Sequence, residues 1–313
     1  MIETWPLAAL TVLLAGVLDA LFGEPPNALH PVAWLGRLIA ALDRRCPRGG
    51  AWRELAWGVL VVALTIAVAA AAGVALALAL GHLPWWLALP LGAAALKVAF
   101  SLRGLVAAGR TVQRALESDT EAARAGLLAL VSRSRDLEPP QIASAAIESL
   151  AENLSDSLVA PLLYFALFGL PGALIYRAVN TMDAMVGYHG RYEYLGKPAA
   201  RLDDAANWIP ARLTGLLLVA LASARGRGAA AWAALRRQRR RSSSPNKLWT
   251  IAPMAGALDV QLEKPGAYVV GLSKRLPTGR TIGEAAAIVW QAGAVSILLS
   301  SGLAALVAAK VWR

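Results

Sequence analysis

Hydrophobic residues are gathered into long runs that alternate with polar stretches. The apolar runs cover residues 7–22, 55–80, 87–102, 158–175, 213–222 and 285–311. Two of them, 55–80 and 285–311, exceed the roughly 20 apolar residues that a membrane-crossing helix needs. The polar stretches between the runs cover residues 23–54, 103–157, 176–212 and 223–284. This pattern predicts an all-α polytopic integral membrane protein with roughly four to six membrane helices, forming a single domain over residues 1–313.

The run 158–175 is interrupted by Gly169-Leu170-Pro171-Gly172. Each half is too short to cross a bilayer alone, so this run is either a re-entrant helical hairpin or a kinked span. Basic residues mark the cytoplasmic side of a membrane protein. They are concentrated at residues 37–53, 103–135, 177–201 and 225–247. Strict up-and-down spans cannot keep all four regions on one side, which favours a run that enters and returns, with helical polar loops in the cytosol.

Composition supports the membrane assignment and limits the chemistry. The chain is 57% hydrophobic and 16% charged, against about 25% charged residues in soluble domains. A net charge of +11 suits anionic lipids or anionic small substrates. Cys46 is the only cysteine, which excludes an intrachain disulfide. Lys97, near the end of an apolar run, is expected to extend its ammonium towards the interface.

Three acidic side chains precede the broken run. Glu148, Glu152 and Asp156 are spaced by four residues, which places them on one helix face. Like charges at that spacing repel, and proximity to lipid makes ionisation more costly. Mg²⁺ relieves such repulsion and takes one or two carboxylates together with phosphate oxygens. We therefore predict a magnesium site at these three residues, with Asn153 beside it; a solvated helix face is the alternative.

Two further clusters combine acids, amides and arginines, the mixture that holds metal-bound phosphates. The first lies in YRAVNTMDAMVGYHGRYEY and contains Arg177, Asn180, Asp183, Tyr188 and Arg191. The second lies in ARLDDAANWIPARL and contains Arg201, Asp203, Asp204, Asn207 and Arg212.

Two loops add polar candidates. The stretch DALFGEPPNALHPVAWLG carries Glu24, Asn27 and His30 among stiffening prolines, and its alternative interpretation is an ordinary inter-helix turn. The stretch 244–271 begins with Ser244 and Asn246, is rich in Pro and Gly, and is expected to be an ordered loop that closes over a substrate. The sequence lacks G-x-x-x-x-G-K-[ST], a G-x-G-x-x-G after a strand, and H-E-x-x-H. With three histidines in the chain, a zinc enzyme is not expected.

Several motifs resemble the adenosylcobinamide-phosphate synthases, the CobD/CbiB family. They are D-x-x-F-G-E-P-x-N-x-x-H-P-V at 19–32, E-S-x-A-E-N-x-x-D-S at 148–157, G-L-P-G-A-x-x-Y-R-A-x-N-T-x-D at 169–183, G-Y-x-x-R-Y at 187–192, A-R-x-D-D-x-x-N-x-x-P-A-R-L at 200–213, S-P-N at 244–246 and M-A-G-A-L at 254–258. These motifs follow one another in order over most of the chain. The pattern departs at Lys247–Ile251, where the family has A-G-W-P-M, and at Leu272-Ser273-Lys274, so the C-terminal loop is expected to bind a variant substrate or to have lost part of its role.

The resemblance implies a multi-pass inner-membrane enzyme of cobalamin biosynthesis with cytosolic active-site loops. Such enzymes join the propionate carboxylate of adenosylcobyric acid to (R)-1-aminopropan-2-ol or its O-phosphate, using ATP and Mg²⁺. The expected catalytic residues are Glu148, Glu152, Asp156, Asp183, Asp203 and Asp204. The expected substrate- and ATP-binding residues are Glu24, Asn27, His30, Asn153, Arg177, Asn180, Tyr188, Arg191, Arg201, Asn207, Arg212, Ser244 and Asn246. Lipid and a homo-oligomer or other pathway enzymes are expected partners; nucleic acid is not.

Two other functions stay open. One is an intramembrane Mg²⁺-dependent phospho- or prenyl-transferase, although neither D-G-x-x-A-R nor a paired N-D-x-x-D occurs. The other is a non-enzymatic transporter with the broken run 158–175 at its core and the acids as a proton relay. A transporter of that kind predicts related halves, and the sequence shows no internal repeat.

Overall fold

A computed structural model of the chain describes residues 5–26, 28, 30–128, 130, 137–188 and 190–311. The helices are Trp5–Phe22 (α1), Pro31–Arg44 (α2), Ala51–Gly81 (α3), Trp85–Lys97 (α4), Leu102–Ser118 (α5), Thr120–Leu127 (α6), Pro139–Leu154 (α7), Ala160–Val186 (α8), Lys197–Ala206 (α9), Trp208–Ser223 (α10), Gly228–Gln238 (α11), Lys247–Leu258 (α12) and Gly279–Val311 (α13). A π-helical turn, Ser155–Val159, joins α7 to α8. Strands Leu262–Lys264 (β1) and Tyr268–Val270 (β2) form an antiparallel hairpin in which Leu262 pairs with Val270.

The predicted fold class, an all-α polytopic membrane protein, is confirmed. Among the described residues, four helical stretches are long and apolar enough to cross a membrane: Ala51–Gly81, Trp85–Ser118, Pro139–Val186 and Gly279–Lys310. The count becomes five if the bent pair Lys197–Ala206 and Trp208–Ser223 is one span. The predicted run 7–22 is a shorter apolar helix, Pro6–Phe22.

The chain forms two compact units whose segments alternate along the sequence. The first unit contains the residues up to Ser101, Ala160–Ala206 and the residues from Ser296 on. The second unit contains Leu102–Val159 and Asn207–Val295. The sequence predicts one domain over the whole chain; the units are interleaved segments rather than two consecutive domains.

Helix α8 is not straight, because its chain turns back at Gly169. Gly169 has φ 66° and ψ −156°, a conformation that glycine adopts without a Cβ clash. Residues twelve apart in a straight helix are separated by about 18 Å, yet the rings of Tyr164 and Tyr176 stack with centroids 5.1 Å apart. A Cβ on Gly172 would lie 2.5 Å from the carbonyl oxygen of Tyr164. The broken run is therefore a helical hairpin within the first unit, one of the two forms predicted for it.

The turn of this hairpin packs against α3. A Cβ on Gly73 of α3 would lie 2.6 Å from the Cα of Pro171, so the two backbones approach too closely for any side chain at this glycine. Further along the same pair of helices, Val61 of α3 and Val179 and Met182 of α8 are buried in one hydrophobic cluster. The first unit is thus centred on the contact between α3 and the folded-back α8.

The second unit is organised around α7, which is buried along most of its length. This helix begins at Pro139-Pro140, and Glu138 and Gln141 close a capping box at its N-terminus. The segment 244–271 is not the predicted loop, because it forms α12 and the hairpin. Residues 250–258 of α12 are all buried, and this burial outweighs the presence of Pro253 inside the helix.

Candidate functional site

Glu148 of α7 has one satisfied and one unsatisfied carboxylate oxygen. Its side chain is buried, with 7% of the residue exposed. The hydroxyl of Tyr268 donates to Oε2 at 2.7 Å. Oε1 is buried and has no hydrogen-bond partner among the residues that the structure describes. A buried carboxylate oxygen without a partner is costly, so this atom is available for a ligand.

Tyr268 is held in place by the hairpin β1–β2. The backbone N–H of Glu263 donates to Ser144 Oγ at 3.0 Å. Behind β2, the Gly271 N–H donates to Gln238 Oε1 at 2.8 Å, and Gln238 Nε2 donates to the Gly271 carbonyl at 3.2 Å. Burial raises the pKa of Tyr268, and the nearby Glu148 carboxylate adds to this effect. The hydroxyl therefore stays protonated and acts as a donor.

Sequence reasoning missed Tyr268. It lies 120 residues from Glu148 along the chain, and no motif spacing connects the two. The only local signal is Lys264-Pro265-Gly266, which favours a turn and hence a hairpin.

Glu152 is paired with a cation that the sequence analysis did not assign to the site. Lys247 Nζ lies 3.2 Å from Glu152 Oε1, and both side chains are about one-third exposed, at 37% and 31%. Lys247 is the first residue of the stretch that departs from the family pattern.

Asn153 and Asp156 lie next to these two acids. Asn153 Nδ2 donates to the Ser149 carbonyl at 3.0 Å, and Ser157 Oγ donates to Asn153 Oδ1 at 3.2 Å, so the predicted substrate-binding amide is bonded within its own helix. Asp156 is half-buried inside the π-helical turn. A π turn alters the helical register, so the spacing of four that predicts one face does not carry through to Asp156.

The three-carboxylate metal site predicted at Glu148, Glu152 and Asp156 is not assembled. Among the described residues, no group of three or more His, Cys, Asp or Glu side chains could hold a metal ion. The physical reason is that Tyr268 occupies one oxygen of Glu148 and Lys247 pairs with Glu152. Mg²⁺ needs only one or two carboxylates when phosphate supplies the other ligands. Glu148 Oε1 is a carboxylate oxygen of the kind that binds Mg²⁺.

Arg212 and Asn246, both predicted as binding residues, meet in the second unit. Arg212 Nη1 donates to Asn246 Oδ1 at 3.0 Å and to the Trp208 carbonyl at 2.6 Å. Its guanidinium lies 4.0 Å from the ring centroid of Trp208 and 4.7 Å from that of Trp249. The Asn246 N–H donates to Ser244 Oγ at 3.3 Å, which links the predicted Ser244 to this group. Two aromatic faces hold the cation in one orientation.

In the first unit, the structure brings α8 and α9 together at Asn180 and Asp203. Asn180 Nδ2 lies 3.5 Å from Asp203 Oδ1, and Arg177 Nη1 lies 3.4 Å from Asn180 Oδ1. Both contacts are long for hydrogen bonds. Asp183 and Asp204 are half-buried on the same two helices.

The remaining candidates of these motifs are dispersed. Arg201 and Tyr188 are exposed, and Asn207 is buried at the start of α10. Arg191 contacts the end of α2: its Nη2 lies 3.8 Å from Asp43 Oδ2, and its guanidinium lies 5.4 Å from the Tyr192 ring centroid. The Tyr192 hydroxyl donates to the same Asp43 at 3.2 Å, and Arg48 also binds this carboxylate. Arg191 thus belongs to a network that the sequence analysis did not foresee.

Glu24 and His30 take part in a chain of polar contacts in the first unit. Lys97 Nζ lies 2.5 Å from Glu24 Oε1 and 3.3 Å from Asp19 Oδ1. His30 Nε2 lies 2.6 Å from Glu24 Oε2. The Val32 N–H donates to His30 Nδ1 at 3.1 Å, so the Nε2 nitrogen carries the proton and donates to Glu24. Asn27 lies outside the described residues.

Lys97 does not extend to the surface as expected. It is 6% exposed, because Asp19 and Glu24 offer its ammonium two carboxylates inside the unit. Burial raises the pKa of Glu24, but the hydrogen bond and the positive charge of Lys97, with a further hydrogen bond from His30, hold this pKa below its usual value.

Comparisons with known proteins match nearly the whole chain. A family model described as "CobD/Cbib protein" matches residues 12–295. A protein named "Cobalamin biosynthesis protein CobD" from Dehalococcoides mccartyi is 41% identical over 297 residues, which cover 94% of this chain and 96% of that relative. Proteins named "Probable cobalamin biosynthesis protein CobD" are 45% identical in Methanothermobacter thermautotrophicus, covering 83% of this chain and 86% of the relative, and 43% identical in Thermococcus kodakarensis, covering 83% and 84%. No solved structure matches the chain.

Proposed function

The chain belongs to the CobD/CbiB family of cobalamin biosynthesis, and from that premise we propose that it is an ATP-dependent acid–amine ligase. Its substrates are the propionate carboxylate of adenosylcobyric acid and (R)-1-aminopropan-2-ol or its O-phosphate. A carboxylate is a poor electrophile. Its oxygen therefore attacks the γ-phosphorus of ATP and ADP leaves. The amine nitrogen then attacks the acyl carbon, phosphate leaves, and the nitrogen loses one proton to solvent.

The observation that carries this proposal is the unpartnered Oε1 of the buried Glu148. Burying a carboxylate oxygen without a partner destabilises the fold. A ligand or cation that binds this oxygen therefore explains its burial best. Mg²⁺ would be held there by Glu148 Oε1 and Glu152, with phosphate oxygens of ATP as its other ligands, and would supply neutralisation of phosphoryl charge.

The polar residues of each unit support the same assignment by their chemistry. Arg212, oriented by two tryptophans and Asn246, presents a fixed cation suited to phosphate oxygens. In the first unit, Asn180 lies 3.4 Å from the Arg177 guanidinium and 3.5 Å from the Asp203 carboxylate, a set of groups suited to orienting an amine or a phosphate. In this proposal Asp183 and Asp204, half-buried on the same two helices, assist them.

The activity is tested by incubating purified protein with adenosylcobyric acid, ATP, Mg²⁺ and each amine, and detecting the amide by mass. In a parallel reaction, hydroxylamine replaces the amine, because it traps an acyl phosphate as a hydroxamate. We expect the amide with one of the two amines, and the hydroxamate only when ATP is present. Formation of neither product, or turnover of a prenyl diphosphate or an alcohol phosphate instead, would contradict the proposal.

The carboxylate of Glu152 is tested by Glu152→Gln. We expect amide formation to fall by about 10²-fold or more, the usual cost of one electrostatic contact in a transition state, in a protein that keeps its thermal unfolding temperature. Glu152→Gln also removes the pair with Lys247, so Lys247→Ala is the matched control that breaks the pair and spares the carboxylate. Glu284→Gln is the second control, since Glu284 forms an exposed pair with Arg280. Full activity of Glu152→Gln, or an equal loss in Lys247→Ala, would show that the carboxylate has no role of its own.

A further inference from the structure

The most basic stretch of the chain is not used by the proposed reaction. Residues 225–241 contain seven arginines, and no acidic residue lies between Asp204 and Asp259. Three of the seven arginines are engaged inside the second unit. Arg225 bonds to Gln291, Arg227 lies 3.1 Å from Asp259 Oδ2, and the Arg239 guanidinium lies 5.5 Å from the Trp249 ring centroid.

The other four arginines have no such partners among the residues that the structure describes. We call them the arginine surface; they are Arg236, Arg237, Arg240 and Arg241. All four are exposed, and none forms an ion pair with an acidic side chain in the described part of the chain. Four guanidinium groups within six residues repel one another, so the protein carries a concentrated positive charge that no described acidic side chain of the second unit neutralises.

The arginine surface is connected to a helix whose outer side is apolar. Ile209, Leu213 and Leu216 of α10 are between 45% and 55% exposed, as expected of side chains that face lipid. Helix α10 ends at Ser223 and α11 begins at Gly228, so the start of α11 is within about 17 Å of the end of α10 even with a fully extended link.

Helix α11 has its own interfacial residue. Trp232 is 43% exposed and lies one turn before Arg236. An exposed tryptophan beside arginines is typical of a helix at the boundary between the apolar layer and the headgroups, because the indole is both apolar and a hydrogen-bond donor.

We propose that the arginine surface, with Trp232, is a binding site for anionic phospholipid headgroups. Lipid phosphates bind the four guanidinium groups and neutralise their charge. Trp232 inserts at the headgroup level, and α10 contacts the acyl chains. A free nucleotide or corrinoid phosphate explains the arginines but leaves Trp232 and the apolar side of α10 without a function. The occupant that fits the charge and the apolar side chains together is therefore an anionic lipid.

The test uses the full chain purified in a neutral detergent and stripped of lipid. Phosphatidylglycerol is titrated back and bound molecules are counted by native mass spectrometry, with phosphatidylcholine as the uncharged probe. The variant Arg236→Gln, Arg237→Gln, Arg240→Gln, Arg241→Gln removes the four charges. We expect at least about a tenfold weaker phosphatidylglycerol affinity in this variant, because each basic residue near an anionic surface contributes several-fold, and no change for phosphatidylcholine.

A matched control removes four exposed arginines elsewhere: Arg37→Gln, Arg44→Gln, Arg45→Gln, Arg53→Gln, all in the first unit. We expect this control to stay within about twofold of the parent affinity, and a four-lysine version of the arginine surface to retain binding, since charge rather than fork geometry is required. An equal loss in the control would mean that net charge alone attracts lipid and would overturn the proposal.

The competing ligand is tested in the same titration. Inorganic phosphate or ATP at millimolar concentration is added to the parent protein, and displacement of phosphatidylglycerol at constant ionic strength would assign the surface to a free phosphate and overturn the proposal. Retention of phosphatidylglycerol, with a decline only as ionic strength rises, would support it. Because none of these readouts involves amide formation, their outcome is independent of the proposed ligase activity.

Discussion

At the scale of single residues, the environment of each polar side chain is set by the residue that binds it. A spacing of four singles out Glu148, Glu152 and Asp156 as candidates, but the partners of Glu148 and Glu152 come from distant segments. Tyr268 binds Glu148 and Lys247 binds Glu152, and neither partner is identifiable from the acidic motif itself. The same holds for Lys97, whose two carboxylates lie far along the chain.

Replacing Tyr268 by Phe tests the link between the hairpin and α7. The change removes one hydroxyl and leaves both oxygens of the buried Glu148 without a hydrogen bond, so we expect a loss of about 1–3 kcal/mol of unfolding free energy. The measurement is thermal or denaturant unfolding in detergent. Tyr194→Phe is the control, because Tyr194 is 43% exposed, and it should change stability by less than about 0.5 kcal/mol. Equal stability of the two variants would mean that the Tyr268 hydroxyl contributes nothing.

Replacing Lys97 by Met tests the buried ion cluster. The variant leaves Asp19 and Glu24 without their cation, and removing one partner of a buried pair costs about 3–5 kcal/mol. Lys274→Met, at an exposed lysine, is the control.

The cluster also predicts a pH dependence. The pKa of Glu24 is lowered in the folded protein, so its ionised form contributes stability that is present above the unfolded pKa and is lost as pH falls through the folded pKa. In Lys97→Met the main group that lowers this pKa is gone, and burial then raises it. We expect the acid-induced loss of unfolding temperature to be smaller in the variant than in the parent. An identical acid dependence in the two proteins would argue against the Lys97–Glu24 pair.

At the scale of elements, hydrophobic runs and helix signals locate the helices well. The runs 55–80 and 285–311 correspond to α3, Ala51–Gly81, and α13, Gly279–Val311. The prolines at 139 and 140 lie in the first turn of α7, where proline is favoured. The exception is 244–271, where a Pro- and Gly-rich composition suggests a loop but burial of α12 stabilises a helix. The interrupted run 158–175 has two possible forms in sequence, and contacts across the turn, such as the stacking of Tyr164 on Tyr176, distinguish them.

The turn in α8 gives a prediction at this scale. Gly169 has φ 66° and ψ −156°, a conformation available almost only to glycine, and holding another residue there costs about 1–3 kcal/mol. We expect Gly169→Ala to lower the unfolding temperature and weaken the packing of Pro171 against α3. Gly302→Ala is the control: Gly302 lies inside α13 with nothing within 4 Å of its added Cβ, so alanine should be neutral or stabilising there. A stable Gly169→Ala protein would mean that the chain does not turn back at this residue.

At the scale of the whole molecule, the contacts form two units from segments that alternate along the chain. Such interleaving has no signature in composition, because every segment has the same alternation of apolar helix and polar connection. The candidate residues are divided between the units: Glu148, Glu152 and Arg212 belong to the second, whereas Asn180, Asp203 and Glu24 belong to the first. The excess of positive charge is a whole-chain property, and four exposed arginines without an acidic partner among the described residues lie close together on α11 and the residues that follow it.

The sequence by itself determined that this protein is helical, that it carries membrane-length apolar segments, and which family it belongs to, because hydrophobic periodicity and ordered motifs are properties of neighbouring residues. The tertiary structure alone decided that α8 folds back at Gly169, that Lys97 is buried with two carboxylates, and that Tyr268 and Lys247 complete the acids of α7. Those outcomes depend on which distant segments pack together. A long-range contact is selected by the total free energy of the fold, and no local pattern of residues encodes it.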